Sequence, residues 1–287
     1  MDWDIEVDVL CVGAGFAGRA MAVAAADAGD DVVVAEQRHA DADDGLPSAP
    51  RSLLDLDVHD DETIRYLDAL SADLRVTAPH GATPSAPMPV NDDLAPAPPR
   101  SRRIAPFVGA RLRDWANGCL ASSYGFLFTH VPGRGEVTMR SSRGDAFEVA
   151  AVGPLEQGPG PAPLVLEDWL RAQARSRDIE VSEDTVLLRL VFEEGRVVGA
   201  ELATPSGLCA VRTWRGVVVS AAGRGGTVDV ARLLPGGAPL YVSVVRQAPS
   251  RFGRVELVTN RPPSVAAHTR SPDWRRGELH RYPPIGE

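Results

Sequence analysis

Residues 8–37 read DVLCVGAGFAGRAMAVAAADAGDDVVVAEQ, and the punctuation of this stretch decides how the chain begins to fold. Val7, Val9, Leu10, Cys11 and Val12 form a short apolar run ending at Gly13, the pattern of a strand buried on both faces. From Phe16 to Ala28 the chain is rich in alanine and free of proline, which predicts a helix stopped by Gly29. Asp31 then leads into Val32, Val33, Val34 and Ala35, a second β-branched run. Two strands joined by a crossover helix make a parallel, right-handed unit.

Gly13-Ala14-Gly15-Phe16-Ala17-Gly18 fits G-x-G-x-x-G in the setting where that pattern has a physical job. Gly13 permits the tight turn, Gly15 lets backbone approach a pyrophosphate with no β-carbon in the way, and Gly18 lets helix and strand pack closely. The helix N-terminus offers unpaired N–H groups and a partial positive charge to phosphate. Glu36 ends the second strand, 21 residues beyond Gly15, where a carboxylate accepts hydrogen bonds from both hydroxyls of a ribose and repels a 2′-phosphate. The residues therefore point to FAD or NAD rather than NADP, and do not choose between the first two. The competing reading is a glycine turn that only packs two strands, with Glu36 an ordinary solvated acid.

The bulk numbers narrow the rest. With 287 residues and 44% hydrophobic content the chain can bury a substantial core as one large domain or two modest ones. A net charge of -9 disfavours nucleic acid and anionic membranes as partners, since both are held by clustered Lys and Arg. Cys11, Cys119 and Cys209 are too far apart for a metal-ligand pair and too few for a disulfide framework, which fits a reducing cytoplasm. The start MDWDIEVDVL is acidic rather than a basic stretch leading into an apolar run, and no apolar window is long enough for a membrane span, so neither export nor spanning is expected.

Beyond Glu36 an acidic, Gly/Pro-punctuated stretch runs from His39 to Asp61. A helix follows from Asp61 to Leu74, capped by Asp60 or Asp61, with Ile64, Leu67, Leu70 and Leu74 on one face. Thr77 to Pro99 has no periodicity and is expected as a surface loop or disordered segment, with regular structure resuming near Ile104. Residues 164–177 read as a helix with Leu166, Trp169, Leu170 and Ala174 on a shared face. Thr185–Phe192, Arg196–Ala203 and Cys209–Arg212 read as a small antiparallel meander, turning at Glu194-Gly195 and at Pro205-Ser206-Gly207. Gly216–Ser220 reads as a further buried strand entering a second glycine turn at residues 222–226.

The stretch from Asp8 to Gln37 resembles the first βαβ unit of the FAD-binding flavoproteins that include fumarate reductases, succinate dehydrogenase flavoprotein subunits and ketosteroid dehydrogenases. Residues 166–202, LEDWLRAQARSRDIEVSEDTVLLRLVFEEGRVVGAEL, and then GVVVSAAG at 216–223, are similar to that superfamily in order: helix, strand, meander with a Gly-Arg-Val-Val-Gly turn, terminal strand, Ala-x-Gly turn. The resemblance implies an α/β, Rossmann-like FAD-binding domain with a βαβ unit and an antiparallel β-meander. It implies that Gly13, Gly15 and Gly18, with Phe16 and Ala17 between them, hold the FAD pyrophosphate, and that Glu36, with Gln37 beside it, holds the adenosine ribose. It further places Val186 near the adenine, and Ala222 and Gly223 beside the pyrophosphate.

The chain also departs from that pattern. After the acid, RHADADDGLPSAPRSLL offers only Gly45 and Ser48 where relatives carry a Gly/Ser-rich segment along the flavin, and the last turn reads Ala-Ala-Gly-Arg-Gly-Gly where they have Thr-Gly-Gly. The chain ends at Glu287, where relatives continue into a substrate-covering domain. The expectation is therefore an FAD-binding domain over 1–235, with a loop-rich insertion at about 77–105, followed by a short segment, 236–287, that serves as an interface tail. The Pro-rich stretch from Arg261 to Glu287 is the candidate clasp on a neighbouring chain.

No local catalytic set stands out. His39, His59, His80, His130, His268 and His280 fall in loop-like sequence without ligand spacing, so no metal site is expected. Tyr124, before the apolar strand FLFTH, is expected as a core or turn residue, with a proton donor over a flavin as the alternative. Arg251 and Arg254 suggest an anion-binding or interface turn, against which stands the commoner use of such arginines in exposed ion pairs. The resulting expectation is an FAD-binding subunit of a cytoplasmic flavin-dependent oxidoreductase, a dehydrogenase or reductase acting on a carbon–carbon bond next to a carbonyl and completed by a partner polypeptide or by homo-oligomerisation. Two alternatives stand beside it: a degenerate flavoprotein kept as a structural or regulatory subunit, and an NAD-binding protein. The substrate is left open.

Overall fold

The computed structural model describes residues 2–13, 15–36, 58–74, 88–96, 109–130, 135–155, 164–220, 227–228 and 239–262. In chain order the elements begin with β1 (Ile5–Val12), α1 (Phe16–Asp27), β2 (Val32–Ala35) and α2 (Asp61–Ser71). Next come β3 (Val90–Asn91), β4 (Ala95–Pro96), α3 (Gly109–Leu120), β5 (Gly125–Phe128), β6 (Val137–Arg140) and β7 (Ala146–Leu155). They are followed by β8 (Leu164–Val165), α4 (Leu166–Arg175), β9 (Glu180–Ser182), β10 (Val186–Glu193), β11 (Arg196–Thr204) and β12 (Gly207–Ser220). The last are β13 (Thr227–Val228), β14 (Leu240–Gln247) and β15 (Phe252–Val258).

One mixed sheet carries the fold, in the order β4-β6-β7-β14-β15-β5-β12-β1-β2-β9. Its β12-β1-β2-β9 end is parallel throughout, and β1-α1-β2 forms the Rossmann-type unit that the glycine turn predicts. From β12 to β4 every neighbouring pair is antiparallel. The β10–β11 hairpin joins the first half of β12, while β5 takes the same edge further on.

Both faces of β1 and of the second half of β12 are buried, by the two-residue period of a strand. Val9 and Cys11 of β1 and Val218 of β12 face α1 and α4, packing with Phe16, Met21, Leu166 and Leu170. Leu10 and Val12 of β1 with Val217 and Val219 of β12 face the other way, onto Leu67 of α2, Ala116 and Cys119 of α3, and the β10–β11 hairpin. In α2 the buried residues are Thr63 and Leu67, whereas Ile64, expected on the inner face, is exposed.

Three further features of the fold differ from what the sequence leads one to expect. Residues 240–258, expected in a short tail beyond a boundary at 235, supply β14 and β15 near the middle of the sheet, where Val242, Val244, Val255 and Leu257 are fully buried. Residues 263–287, the expected clasp, lie outside the described residues. Within the expected loop at 77–105, residues 88–96 add β3 and β4 to the sheet, and Leu94 and Met88 are buried. The strands expected at 209–212 and 216–220 are one, β12, bent at Gly216, whose φ of +119° is open to glycine and where a β-carbon would lie 3.1 Å from Thr129 and His130. Near this bend the register against β1 shifts, between Val7 and Val9.

Candidate dinucleotide site

The turn between β1 and α1 is held at its base by backbone: Gly13 N–H donates to the carbonyl of Ala35, the last residue of β2, at 3.0 Å. Gly13 has φ of +136°, and a β-carbon on it would lie 2.3 Å from Ser220 Oγ and 2.6 Å from the Ser220 carbonyl. A β-carbon on Gly18 would lie 2.8 Å from the same hydroxyl. These two glycines therefore let α1 and the end of β1 close on the last residue of β12. Gly15, extended at φ −119° and ψ 165°, precedes the helix, which has neither a side-chain cap nor an acid in its first turn. Among the described residues no side chain caps these donor groups, and a helix start of this kind suits a pyrophosphate.

Phe16 and Ala17 have no exposed surface. The Phe16 ring meets Tyr124 edge-on with centroids 5.9 Å apart, so both side chains belong to the core, and a ligand would reach Phe16 and Ala17 only through backbone. Tyr124, 2% exposed, thus takes the core role.

Glu36 sits where β2 leaves the sheet, and its backbone is pinned on both sides: its N–H donates to Ser182 O at 2.8 Å, and its carbonyl accepts from Thr185 N at 2.9 Å. Its carboxylate pairs with Arg19 Nη2, while Arg19 Nη1 pairs with Glu167 in the first turn of α4. The Arg19 side chain is 6% exposed, against 17% for Glu36 and 19% for Glu167. An acid held this way is already oriented, and its remaining acceptor capacity suits the vicinal hydroxyls of a ribose. Val186 opens β10 directly after Thr185, paired with Ala203 and 36% exposed, so the fold brings it next to the backbone that fixes Glu36.

Gly13, Gly15, Gly18, Glu36 and Val186 thus gather at the carboxyl ends of β1 and β2, the edge where open α/β sheets take their ligands. Ala14, Gln37, Ala222 and Gly223 lie outside the described residues. Sequence reasoning missed Arg19, Glu167, Ser182, Thr185 and Ser220. For Arg19 a signal existed: a lone cation within the otherwise apolar stretch from Phe16 to Ala25 needs an anion once that stretch is buried.

Arg251 and Arg254 both have partners within the chain. Arg251 donates to Tyr66 Oη and to Thr129 O, both at 2.9 Å, tying α2 to the end of β5. Arg254 pairs with the buried Glu256 at 2.6 Å and lies over the Trp115 ring. Among the described residues no group of His, Cys, Asp and Glu is placed to hold a metal ion, and no helix is long and apolar enough to cross a membrane.

No family model matches the chain, and no curated protein does. Solved structures with some likeness include a geranylgeranyl bacteriochlorophyll reductase-like protein of Thermoplasma acidophilum, at 17% identity and a TM-score of 0.29 over 73% of this chain and 38% of that one. A 3-ketosteroid-Δ4-(5α)-dehydrogenase of Rhodococcus jostii gives 18% identity and a TM-score of 0.31 over 76% of this chain and 46% of that one. Aklavinone-11 hydroxylase in complex with FAD and aklavinone gives 21% identity and a TM-score of 0.28 over 75% of this chain and 32% of that one. The chain therefore spans less than half the length of each of these structures.

Proposed function

We propose that the chain binds FAD through β1-α1-β2 and forms the FAD-binding part of a flavin-dependent oxidoreductase. The observation that carries this is the placement of Glu36: its backbone is pinned to Ser182 and Thr185, its carboxylate is oriented by Arg19, and it stands at the end of the strand beside the uncapped start of α1. Glu36 would hold the adenosine ribose, the N–H groups after Gly15 would hold the pyrophosphate, and Val186 would lie along the adenine. The choice of FAD over NAD rests on the sequence resemblance of residues 8–37 and 166–223. Bound there, FAD supplies a hydride acceptor and donor in its isoalloxazine ring. In this reading the reaction is a dehydrogenation or reduction beside a carbonyl, and a partner polypeptide or second copy supplies groups around the flavin.

The second reading is a non-catalytic flavoprotein relative. It is favoured by Ser220, whose contact gives Gly13 and Gly18 a packing duty whether or not a cofactor is bound. Titration of the purified chain with FAD and with NAD, followed by flavin fluorescence and by calorimetry, tests the proposal. Saturable FAD binding in the wild type that is lost in a folded Gly15→Val variant is expected. Binding of NAD alone, or of neither, would overturn it.

A further inference from the structure

We propose that Arg19 is a positioning and specificity-determining residue of this site, an inference that rests on the dinucleotide reading above. Arg19 orients Glu36 toward the ribose hydroxyls, and Glu36 in turn masks a buried guanidinium that would otherwise receive a 2′-phosphate.

The geometry is a fork between two acids. Arg19 projects from a helix whose residues from Phe16 to Ala25 are all buried, and every other side chain among them is apolar or absent. Its Nη2 meets Glu36 at the end of β2 and its Nη1 meets Glu167 at the start of α4. A guanidinium this deep is costly unless paired, and its planar fork reaches two carboxylates at once in fixed directions, which the point charge of a lysine does not. The two acids lie nearer solvent than the cation between them. A ligand arriving at the site therefore meets Glu36 first and Arg19 behind it.

The charge count gives the specificity. Glu36, Glu167 and Arg19 sum to one negative charge, with Arg171 3.5 Å from Glu167 as a half-exposed outer cation. A neutral diol donates to Glu36 and is welcome there, whereas a 2′-phosphate is repelled. If Glu36 loses its charge but keeps its shape, as in Glu36→Gln, Nη2 keeps at most a neutral amide acceptor while Glu167 still pairs with Nη1. The half of the fork facing position 36 then carries uncompensated charge close to the helix start, itself a region of partial positive charge. The same groups become an anion receptor.

ADP-ribose and 2′-phospho-ADP-ribose are the probes, titrated by calorimetry against the wild type, Glu36→Gln, and Glu36→Gln with Arg19→Met, each checked for fold by circular dichroism. The wild type should bind ADP-ribose the more tightly, by about tenfold or more, and Glu36→Gln should shift the ratio of the two affinities about 10- to 100-fold toward the 2′-phosphate. Adding Arg19→Met should abolish that shift. The ratio separates this role from a structural one, which would weaken both ligands together. If the double variant does not fold, Arg19→Lys in the Glu36→Gln background decides: the shift should fall at least about threefold, since a lysine cannot fork between Glu167 and a phosphate. An unchanged ratio in Glu36→Gln, or a shift that survives loss of the guanidinium, would overturn the inference while leaving the binding site standing. Failure of the wild type to bind either probe would sink the dinucleotide reading, and this inference with it.

Discussion

Ser220 closes on Gly13 so tightly that a β-carbon there would lie 2.3 Å from the serine hydroxyl oxygen and 2.6 Å from the serine carbonyl. The contact locks the end of β12 against the β1 turn, and the serine hydroxyl also donates to Val12 O at 3.3 Å. Gly18 approaches the same serine, but only its side chain, at 2.8 Å from Oγ and 3.5 Å from Cβ.

The two glycines should therefore answer differently to one compensating change. Gly13→Ala is strained by its backbone angle and by a backbone oxygen, so it should cost about 2–4 kcal/mol with or without Ser220→Ala. Gly18→Ala meets only the hydroxyl. It should destabilise the wild type by about 1 kcal/mol, because overpacking outweighs the gain in helix propensity, and should be neutral or stabilising in the Ser220→Ala background. Urea denaturation of the single and double variants measures both; rescue of Gly13→Ala by Ser220→Ala would contradict the contact geometry.

α2 is fastened to the hairpin through Thr63. Asp60 accepts from Thr63 N at 2.8 Å and from Thr63 Oγ1 at 2.7 Å, and the same hydroxyl accepts from Leu190 N at 2.9 Å. Thr63 is fully buried, so Thr63→Val strands the Leu190 N–H and should cost about 1–3 kcal/mol, while Thr63→Ser should cost less. The Thr63 hydroxyl and then its N–H hold the Asp60 carboxyl below its ordinary value of 3.8. A carboxyl lowered in the folded state contributes stability above its unfolded value and loses it as pH falls through the folded one. Asp60→Asn should accordingly flatten the stability curve below pH 3.8, measured as the urea midpoint against pH.

The thiols give a test of the packing. Burial pushes the Cys11 thiol up to about 12 and the Cys119 thiol further, whereas Cys209 is only partly covered and is raised by burial and then by Asp4 and Glu180. A disulfide reagent at pH 8 should modify Cys209 slowly and leave Cys11 and Cys119 untouched until denaturant is added. Fast modification of Cys11 in the native protein would mean that β1 is not a buried central strand.

What the sequence made legible was local. The β1-α1-β2 unit follows from a valine run, two glycine stops and an alanine helix, all within 30 residues, and Phe16–Asp27 and Val32–Ala35 lie where those signals put them. The apolar run Leu240–Gln247 is equally plain, but its place depends on partners such as Val149 and Val255, which no nearby pattern announces. β12 looked like two strands because Gly216 interrupts it, and only the pairing with β1 shows one strand bending. At the site, the motif glycines and Glu36 carry their own spacing. Arg19 does not, because its partners lie 17 and 148 residues away and meet it only when β2 and α4 pack on α1.

The most direct test of the central claim is the visible spectrum of the wild-type chain after incubation with FAD and desalting, with a folded Glu36→Arg variant treated in parallel. The account predicts stoichiometric flavin on the wild type, and on Glu36→Arg an affinity lower by about 1.5–3 kcal/mol through loss of the ribose hydrogen bonds. A folded wild type that retains no flavin, or a Glu36→Arg variant that retains it equally well, would contradict the account.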